Sequence, residues 1–249
     1  RRRGGGDVTQ LPGFAEGAWW VQDLAASLPA KLMGAVKGKR VADLCAAPGG
    51  KALQLAMAGA EVTAVDRSAN RMVRFRRNLE RLKLAAAIVE ADVAGWIPPA
   101  PFVAVLLDAP CTATGTLRRH PDGAQLKGPG DVAYLADQQH ALLKAAHAML
   151  KPGGTLVYCV CSLEPQEGEA QIARLLDSGA PLIRDPIRPE EIPGLEAVIN
   201  ARGEIRTLPC HLGDKGGMDA FFIARLRRLD QQGNRVKDSC GEDGCEEIV

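Results

Sequence analysis

Residues 40–51 read Arg40-Val41-Ala42-Asp43-Leu44-Cys45-Ala46-Ala47-Pro48-Gly49-Gly50-Lys51, a short β-type run that closes on a turn of small residues. Glycine supplies dihedrals that other residues avoid, and small side chains let a ligand approach the main chain. Working outward, further β-type runs occur at 61–65, 87–91, 102–107 and 155–160. Helical stretches separate most of them, the clearest at 68–82, 132–150 and 167–176. Upstream, 19–36 carries apolar residues at helical recurrence, interrupted by Pro29, whose ring and missing N–H disfavour a helix interior. Strands alternating with helices predict an α/β fold, a parallel sheet covered by helices on both faces. Two later candidate strands, 205–208 and 220–226, have no clear long helix between them and are expected to pair as an antiparallel hairpin at one edge. The sum is a Rossmann-like, seven-stranded, mostly parallel sheet.

The 249 residues suffice for one substantial domain with a buried core. The formal net charge is +1, from 31 basic and 30 acidic side chains. That balance neither requires nor excludes a nucleic-acid partner, because local patches decide. No apolar run is long enough to cross a bilayer and no signal peptide is evident, so no membrane partner and a cytoplasmic location are expected. The seven cysteines (45, 111, 159, 161, 210, 240 and 245) are odd in number and contain no C-x-x-C pair, which favours free thiols over staples. The four histidines show no ligand spacing with them, and no metal site is expected. The opening Arg1-Arg2-Arg3-Gly4-Gly5-Gly6 reads as a basic linker over 1–16 cut from a longer protein. The folded unit is expected over 17–229, and 230–249 is expected to be an acidic, disordered tail.

In open α/β sheets, ligands bind beyond the carboxyl ends of the strands, near the point where strand order reverses. The first turn lacks G-x-G-x-x-G, which counts against a nicotinamide dinucleotide. The second strand ends at Asp66, where a carboxylate takes ribose hydroxyls; capping of the following helix is the plainer alternative, although Ser68 serves that purpose as well. The third strand ends at Asp92, placed to accept a hydrogen bond from an adenine amino group. Together these fit an adenosine-bearing ligand. Strand four ends in Leu107-Asp108-Ala109-Pro110-Cys111-Thr112-Ala113-Thr114-Gly115, and strand five in Val157-Tyr158-Cys159-Val160-Cys161-Ser162. As neighbours, these strands should turn Cys111 and Cys161 toward the same crevice. Cys159, inside its strand, and Cys210 are expected to be buried structural thiols.

D-A-P-C-[ST]-x-T-G over 108–115, with Y-x-x-C-S downstream over 158–162, resembles the double signature of the RNA cytosine-5 methyltransferases of the Sun/Fmu (RsmB) family. The likeness runs from Gly17-Ala18-Trp19-Trp20-Val21-Gln22-Asp23 through 43–51, 153–169 and 216–225. Arg118-Arg119-His120-Pro121-Asp122 is similar to the bacterial 16S rRNA branch. The resemblance implies the class I S-adenosylmethionine-dependent methyltransferase fold, S-adenosyl-L-methionine as cofactor and RNA, 16S rRNA in particular, as partner. It also implies that Asp66, Arg71 and Asp92 hold the cofactor, with Cys45, Ala46, Ala47, Pro48, Gly49, Gly50 and Lys51 around its methionine part. Asp108 would contact both cofactor and flipped cytosine, Cys161 would be the nucleophile, and Cys111 would assist product release. Some DNA cytosine methyltransferases attack from the Pro-Cys motif instead, so the choice of Cys161 rests on the resemblance. The chain departs from the family pattern at Cys159-Val160, at Gly168 (often Asn) and at Ala52 (commonly Thr).

Carbon 5 of cytosine is too electron-poor to attack a methyl sulfonium unaided. A thiolate adding to carbon 6 turns the ring into an enamine, splitting one hard step into easier ones. The base must first leave its stack or lie in a loop. For RNA contact the candidates are Arg118 and Arg119, then Arg1–Arg3 and the helix residues Arg71, Arg74, Arg77 and Arg81, for which a solvated charged face is an equal alternative. Trp19 and Trp20 read as packing residues. Two other functions fit the same fold: a methyltransferase acting on a tRNA cytosine or a non-RNA substrate, and a silent RNA-binding module. Loss of Cys161, Asp108 or Gly49-Gly50 would mark the last, and all are present.

Overall fold

A computed structural model describes residues 6–230 together with Gln232 and Asn234. The expected 230–249 tail and Arg1–Arg3 otherwise lie outside the described residues. The elements are α1 (Leu24–Lys31), β1 (Arg40–Leu44), α2 (Gly50–Met57), β2 (Glu61–Asp66), α3 (Ala69–Leu82), β3 (Ala87–Glu90), β4 (Phe102–Asp108), α4 (Gly123–Leu126), α5 (Pro129–Ala148), β5 (Leu150–Val160), α6 (Glu169–Asp177), β6 (Leu182–Arg184), β7 (Ile205–Arg206) and β8 (Phe222–Arg228). The sheet order is β3-β2-β1-β4-β5-β8-β6, with β7 also on β8. The first five are parallel, and β8 runs antiparallel to β5. β7 and β8 form the expected antiparallel pair, Ile205 opposite Ile223. The sheet has eight strands rather than seven. The additional strand, β6, spans three residues between Pro181 and Pro186, too short and too Pro-flanked to read as a strand. It pairs with Leu226–Arg228 while β7 pairs with Phe222 and Ile223, end to end along the side of β8 that faces away from β5.

Strand residues alternate between two cores, as the two-residue period requires. Val41, Ala104, Leu106, Val157 and Ile223 face α1, α2 and α3, meeting Leu28, Leu53, Met72 and Phe75. Leu44, Val105, Leu107, Tyr158 and Leu226 face α5 and α6, meeting Leu143, Ile172 and Leu175. α1 is shorter than the 19–36 pattern: Asp23 caps it by accepting from the Ala25 N–H at 2.8 Å, and Pro29 sits in its last turns. β5 starts earlier than 155, because Leu150 pairs with Phe102 before an irregularity re-registers the strands at Ala104 and Thr155. Ser68 caps α3.

Residues 7–20 fold onto the end of α3. The Arg81 guanidinium lies 4.0 Å from the centre of the Phe14 ring and donates to the carbonyls of Phe14 (2.7 Å) and Trp19 (3.0 Å). Phe14 meets Trp19 edge to face, and Trp19 donates to the Pro12 carbonyl. The approach is close enough that a Cβ on Gly17 would fall 1.9 Å from the Arg81 carbonyl oxygen.

Phe75 joins α3 to the turn after β1: it is fully buried, and a Cβ on Gly49 would lie 1.9 Å from its ring. Phe75→Ala should lower the unfolding free energy by about 3–5 kcal/mol, the cost of a large aromatic cavity, measured by urea denaturation. A loss below about 1 kcal/mol would show that the site collapses freely.

Candidate active site

The candidate site lies beyond the carboxyl ends of β1, β2, β4 and β5. After β1 the chain turns sharply: Cys45 has φ +60° and Gly49 φ +102°. The turn is shorter than expected, because Gly50 and Lys51 already belong to α2. Asp66 organises it from the end of β2, accepting from the Ala47 N–H (3.0 Å) and the Ser68 N–H (2.8 Å), with Arg71 at 3.6 Å. Arg71 in turn donates to the Ala47 carbonyl. Asp66 thus shapes the turn as well as facing the crevice, and Ser68 provides the cap. Asp92 accepts from the Ala94 N–H at 3.0 Å. A cavity of about 210 Å³ brings Cys45, Asp66, Arg71 and Asp92 together with Pro110 and Gln138.

Beneath the turn sits a charged cluster. Lys51 Nζ lies 2.7 Å from Asp108 Oδ2, so the lysine points under the turn to β4 rather than around the cavity. Cys159 donates to Asp108 Oδ1 at 3.4 Å. Burial opposes the Lys51 charge, but Asp108, helped by Cys159 and Asp43, outweighs it and raises the ammonium above its usual range. Asp43 is fully buried and neither oxygen has a hydrogen bond of ordinary geometry. Burial, then the charge of Asp108, push its carboxyl up to about 8, with Lys51 opposing.

Cys111 and Cys161 meet as the sequence implied, their sulfurs 3.5 Å apart. The hydrogen bond to Cys161, then burial, push the Cys111 thiol well up. Burial, then Asp108, push the Cys45 thiol up to about 12. Cys159 is fully buried inside β5, and that burial likewise raises its thiol. Cys210 is exposed, not buried: it lies in the turns between β7 and β8, outside the sheet. The 109–115 segment is sewn down by Ala109 N–H to Cys159 O and Gly115 N–H to Cys161 O, each 3.0 Å. A Cβ on Gly115 would fall 2.1 Å from the Ala220 carbonyl oxygen, so this approach requires glycine.

Arg118 and Arg119 are not free cations. Arg119 grips buried Asp219 through Nε and Nη2, and Arg118 bridges Asp219 (3.3 Å) and Asp23 (3.4 Å). Arg81 is used up against Phe14, whereas Arg74 and Arg77 are exposed. Asp219 and Glu167 were not singled out from sequence. Glu167, fully buried, accepts from Thr112, Ser162 and Gln139; its only signal was its place just after Cys161-Ser162. Among the described residues, no group of three or more His, Cys, Asp and Glu has metal-holding geometry, and no helix is long and apolar enough to cross a membrane.

The family model described as 16S rRNA methyltransferase RsmB/F matches residues 30–227. Ribosomal RNA small subunit methyltransferase B of Pseudomonas syringae pv. tomato is 43% identical over 236 residues, 91% of this chain and 51% of that protein. NSun6 from Pyrococcus horikoshii, solved with SFG, superposes with TM-score 0.77 at 27% identity, covering 90% of this chain and 56% of that one. A methyltransferase homolog protein from Pyrococcus horikoshii gives TM-score 0.73 at 30% identity, covering 90% and 72%. The chain spans about half the length of the curated relatives it matches.

A carboxyl whose pKa rises on folding binds its proton more tightly in the native state. Its stabilising contribution is full below the unfolded value and is lost as pH rises through the folded one. For Asp43 the window runs from 3.8 to about 8. The wild-type urea midpoint should therefore fall relative to Asp43→Asn between about pH 5 and pH 8. Midpoints that run parallel would mean an ordinary carboxyl.

Proposed function

Because the chain belongs to the 16S rRNA methyltransferase RsmB/F family, we propose that it methylates carbon 5 of a cytosine in small-subunit ribosomal RNA, through a covalent adduct of Cys161 at carbon 6. The observation that carries the proposal is the pair of thiols at 3.5 Å, next to a cavity that ends on Pro110. Methyl transfer to an amine or a carboxylate has no use for two facing thiols; cytosine carbon 5 does.

S-adenosyl-L-methionine fits the cavity's donor set. Each carboxylate oxygen accepts two hydrogen bonds, so Asp66 retains lone pairs for ribose hydroxyls while it holds Ala47 and Ser68, and Asp92 stands ready for an adenine amino group. The start of α2 and the turn Cys45, Ala46, Ala47, Pro48, Gly49, Gly50 would surround the methionine part, the N–H groups at the helix start suiting its carboxylate. When bound, the cofactor supplies an electrophilic methyl group.

Cys161 adds to carbon 6, and Asp108, fixed by Lys51, accepts from the exocyclic amino group of the cytosine and so orients the ring for attack, with the Lys51 ammonium as the nearby positive charge. After methyl transfer a base takes the carbon-5 proton, the double bond between carbons 5 and 6 re-forms, and the bonding pair at carbon 6 returns to the Cys161 sulfur as it leaves. Cys111, its sulfur 3.5 Å from that of Cys161, stands where it can assist the second half of the cycle, when the sulfur of Cys161 leaves. RNA phosphates would meet Arg74 and Arg77 and the donors of Arg118 and Arg119 not spent on Asp219. Residues 17–229 would carry the chemistry, with further RNA contact from segments outside them.

Bisulfite sequencing of RNA incubated with the protein and cofactor should show one protected cytosine in the small-subunit RNA. Cys161→Ser should lose turnover and form no adduct, since a serine hydroxyl is far less ionised at neutral pH. Cys111→Ala should methylate and then stall, accumulating a protein–RNA complex that survives denaturing electrophoresis. The reverse pattern would exchange the two roles, and methylation without adduct in either variant would end covalent catalysis here.

A further inference from the structure

We infer that Glu167 is a positioning residue, a buried carboxylate that holds the Cys111 loop and the Cys161 loop in one fixed relation so that both thiols address the same base. This rests on the cytosine-C5 reading above. Glu167 Oε1 accepts from the Thr112 N–H (2.9 Å) and Gln139 Nε2 (3.0 Å); Oε2 accepts from the hydroxyls of Thr112 (2.6 Å) and Ser162 (2.5 Å). Thr112 follows Cys111, and Ser162 follows Cys161. Gln139 also donates to the Pro110 carbonyl at 2.9 Å, so the residues on both sides of Cys111 are fixed through one centre. The Glu167 backbone is pinned as well: its carbonyl accepts from the fully buried Tyr158 hydroxyl at 2.6 Å.

Among the described residues, the donors to this carboxylate are all neutral. A buried carboxylate served only by neutral donors is an expensive way to hold two loops, since apolar packing of similar volume does so at lower desolvation cost. What the carboxylate adds is direction: two oxygens take four donors from three segments, and the donors leave little freedom to the residues beside each thiol. The chemistry needs that constraint, because the two thiols act on adjacent ring atoms, and a displacement of about 1 Å costs on the order of a hundredfold in rate. Glu167 touches neither substrate nor cofactor and works through Thr112 and Ser162.

The test compares Glu167→Gln, Thr112→Val, Ser162→Ala and the Thr112→Val/Ser162→Ala pair in the full-length protein. With folding verified by thermal melting, each single variant should keep cofactor Kd and RNA KM within about twofold while kcat falls by about tenfold or more. The paired variant should lose no more than Glu167→Gln, because both hydroxyls act through one carboxylate. Diamide-driven formation of the Cys111–Cys161 disulfide, followed by loss of free thiols, should slow in every variant. That readout needs neither RNA nor methylation, so it judges the brace even if the wild type modifies no cytosine, a result that would overturn the functional reading alone. Unchanged kcat and unchanged disulfide rate in Glu167→Gln would overturn the inference. If Glu167→Gln does not fold, full kcat in both Thr112→Val and Ser162→Ala would do so.

Discussion

The Lys51–Asp108 ion pair joins the two halves of the site. Lys51 comes from the first turn of α2, behind the Gly49-Gly50 turn; Asp108 is the last residue of β4, three before Cys111. Charges withdrawn from water are favourable only with close geometry and further hydrogen bonds. Here the separation is 2.7 Å, the lysine side chain is 9% exposed, Cys159 donates to the other Asp108 oxygen, and the Phe221 ring lies 5.3 Å from the ammonium. Asp43 sits alongside, fully buried. Without the ammonium, the charge of Asp108 would stand beside buried Asp43 with no positive partner, a condition that favours rearrangement. The pair therefore fixes where Asp108 points and how the cofactor-side turn sits against the loop that carries Cys111.

Much of this was legible in the residues. β1, β4 and β5 read as near-continuous apolar runs because both sheet faces are covered, and each strand end, that of β2 included, carries a conspicuous residue: Asp43, Asp66, Asp108, Cys161. The meeting of Cys111 and Cys161 followed from the adjacency of β4 and β5. Other features were not legible because they depend on long-range partners. β6 exists only because β8 offers it an edge. Glu167 resembles any surface glutamate until the folded chain places Thr112, Ser162 and Gln139 around it. Arg118 and Arg119 carry charge that suits RNA, yet Asp219, a hundred residues away, takes much of it. Cys210 reads as a core thiol only if its segment is a strand.

The departures from the family pattern have local explanations. Val160, where a Thr is usual, is fully buried against the α5–α6 core, on the opposite sheet face from Cys161. A hydroxyl there would lie among apolar groups, so its absence leaves Cys161 undisturbed. At Gly168, a Cβ would fall 2.5 Å from Arg206 Nη2. That guanidinium donates to the Ser162 carbonyl at 2.6 Å and pairs with Glu169 through both Nε and Nη2. Glycine at 168 leaves the space in which Arg206 supports the Cys161 loop. Ala52, fully buried in α2, packs in the core facing β1 and needs no polar group.

The most direct test of covalent catalysis by Cys161 is to trap the adduct chemically. The wild-type protein would be incubated with S-adenosylmethionine and small-subunit RNA containing 5-fluorocytosine, whose fluorine cannot leave as a proton does. The complex would then be digested and the nucleotide-bearing peptide located by mass spectrometry. The nucleotide should be on Cys161, carrying the transferred methyl group. A nucleotide on Cys111, or no adduct from a preparation that methylates ordinary RNA, would contradict the account.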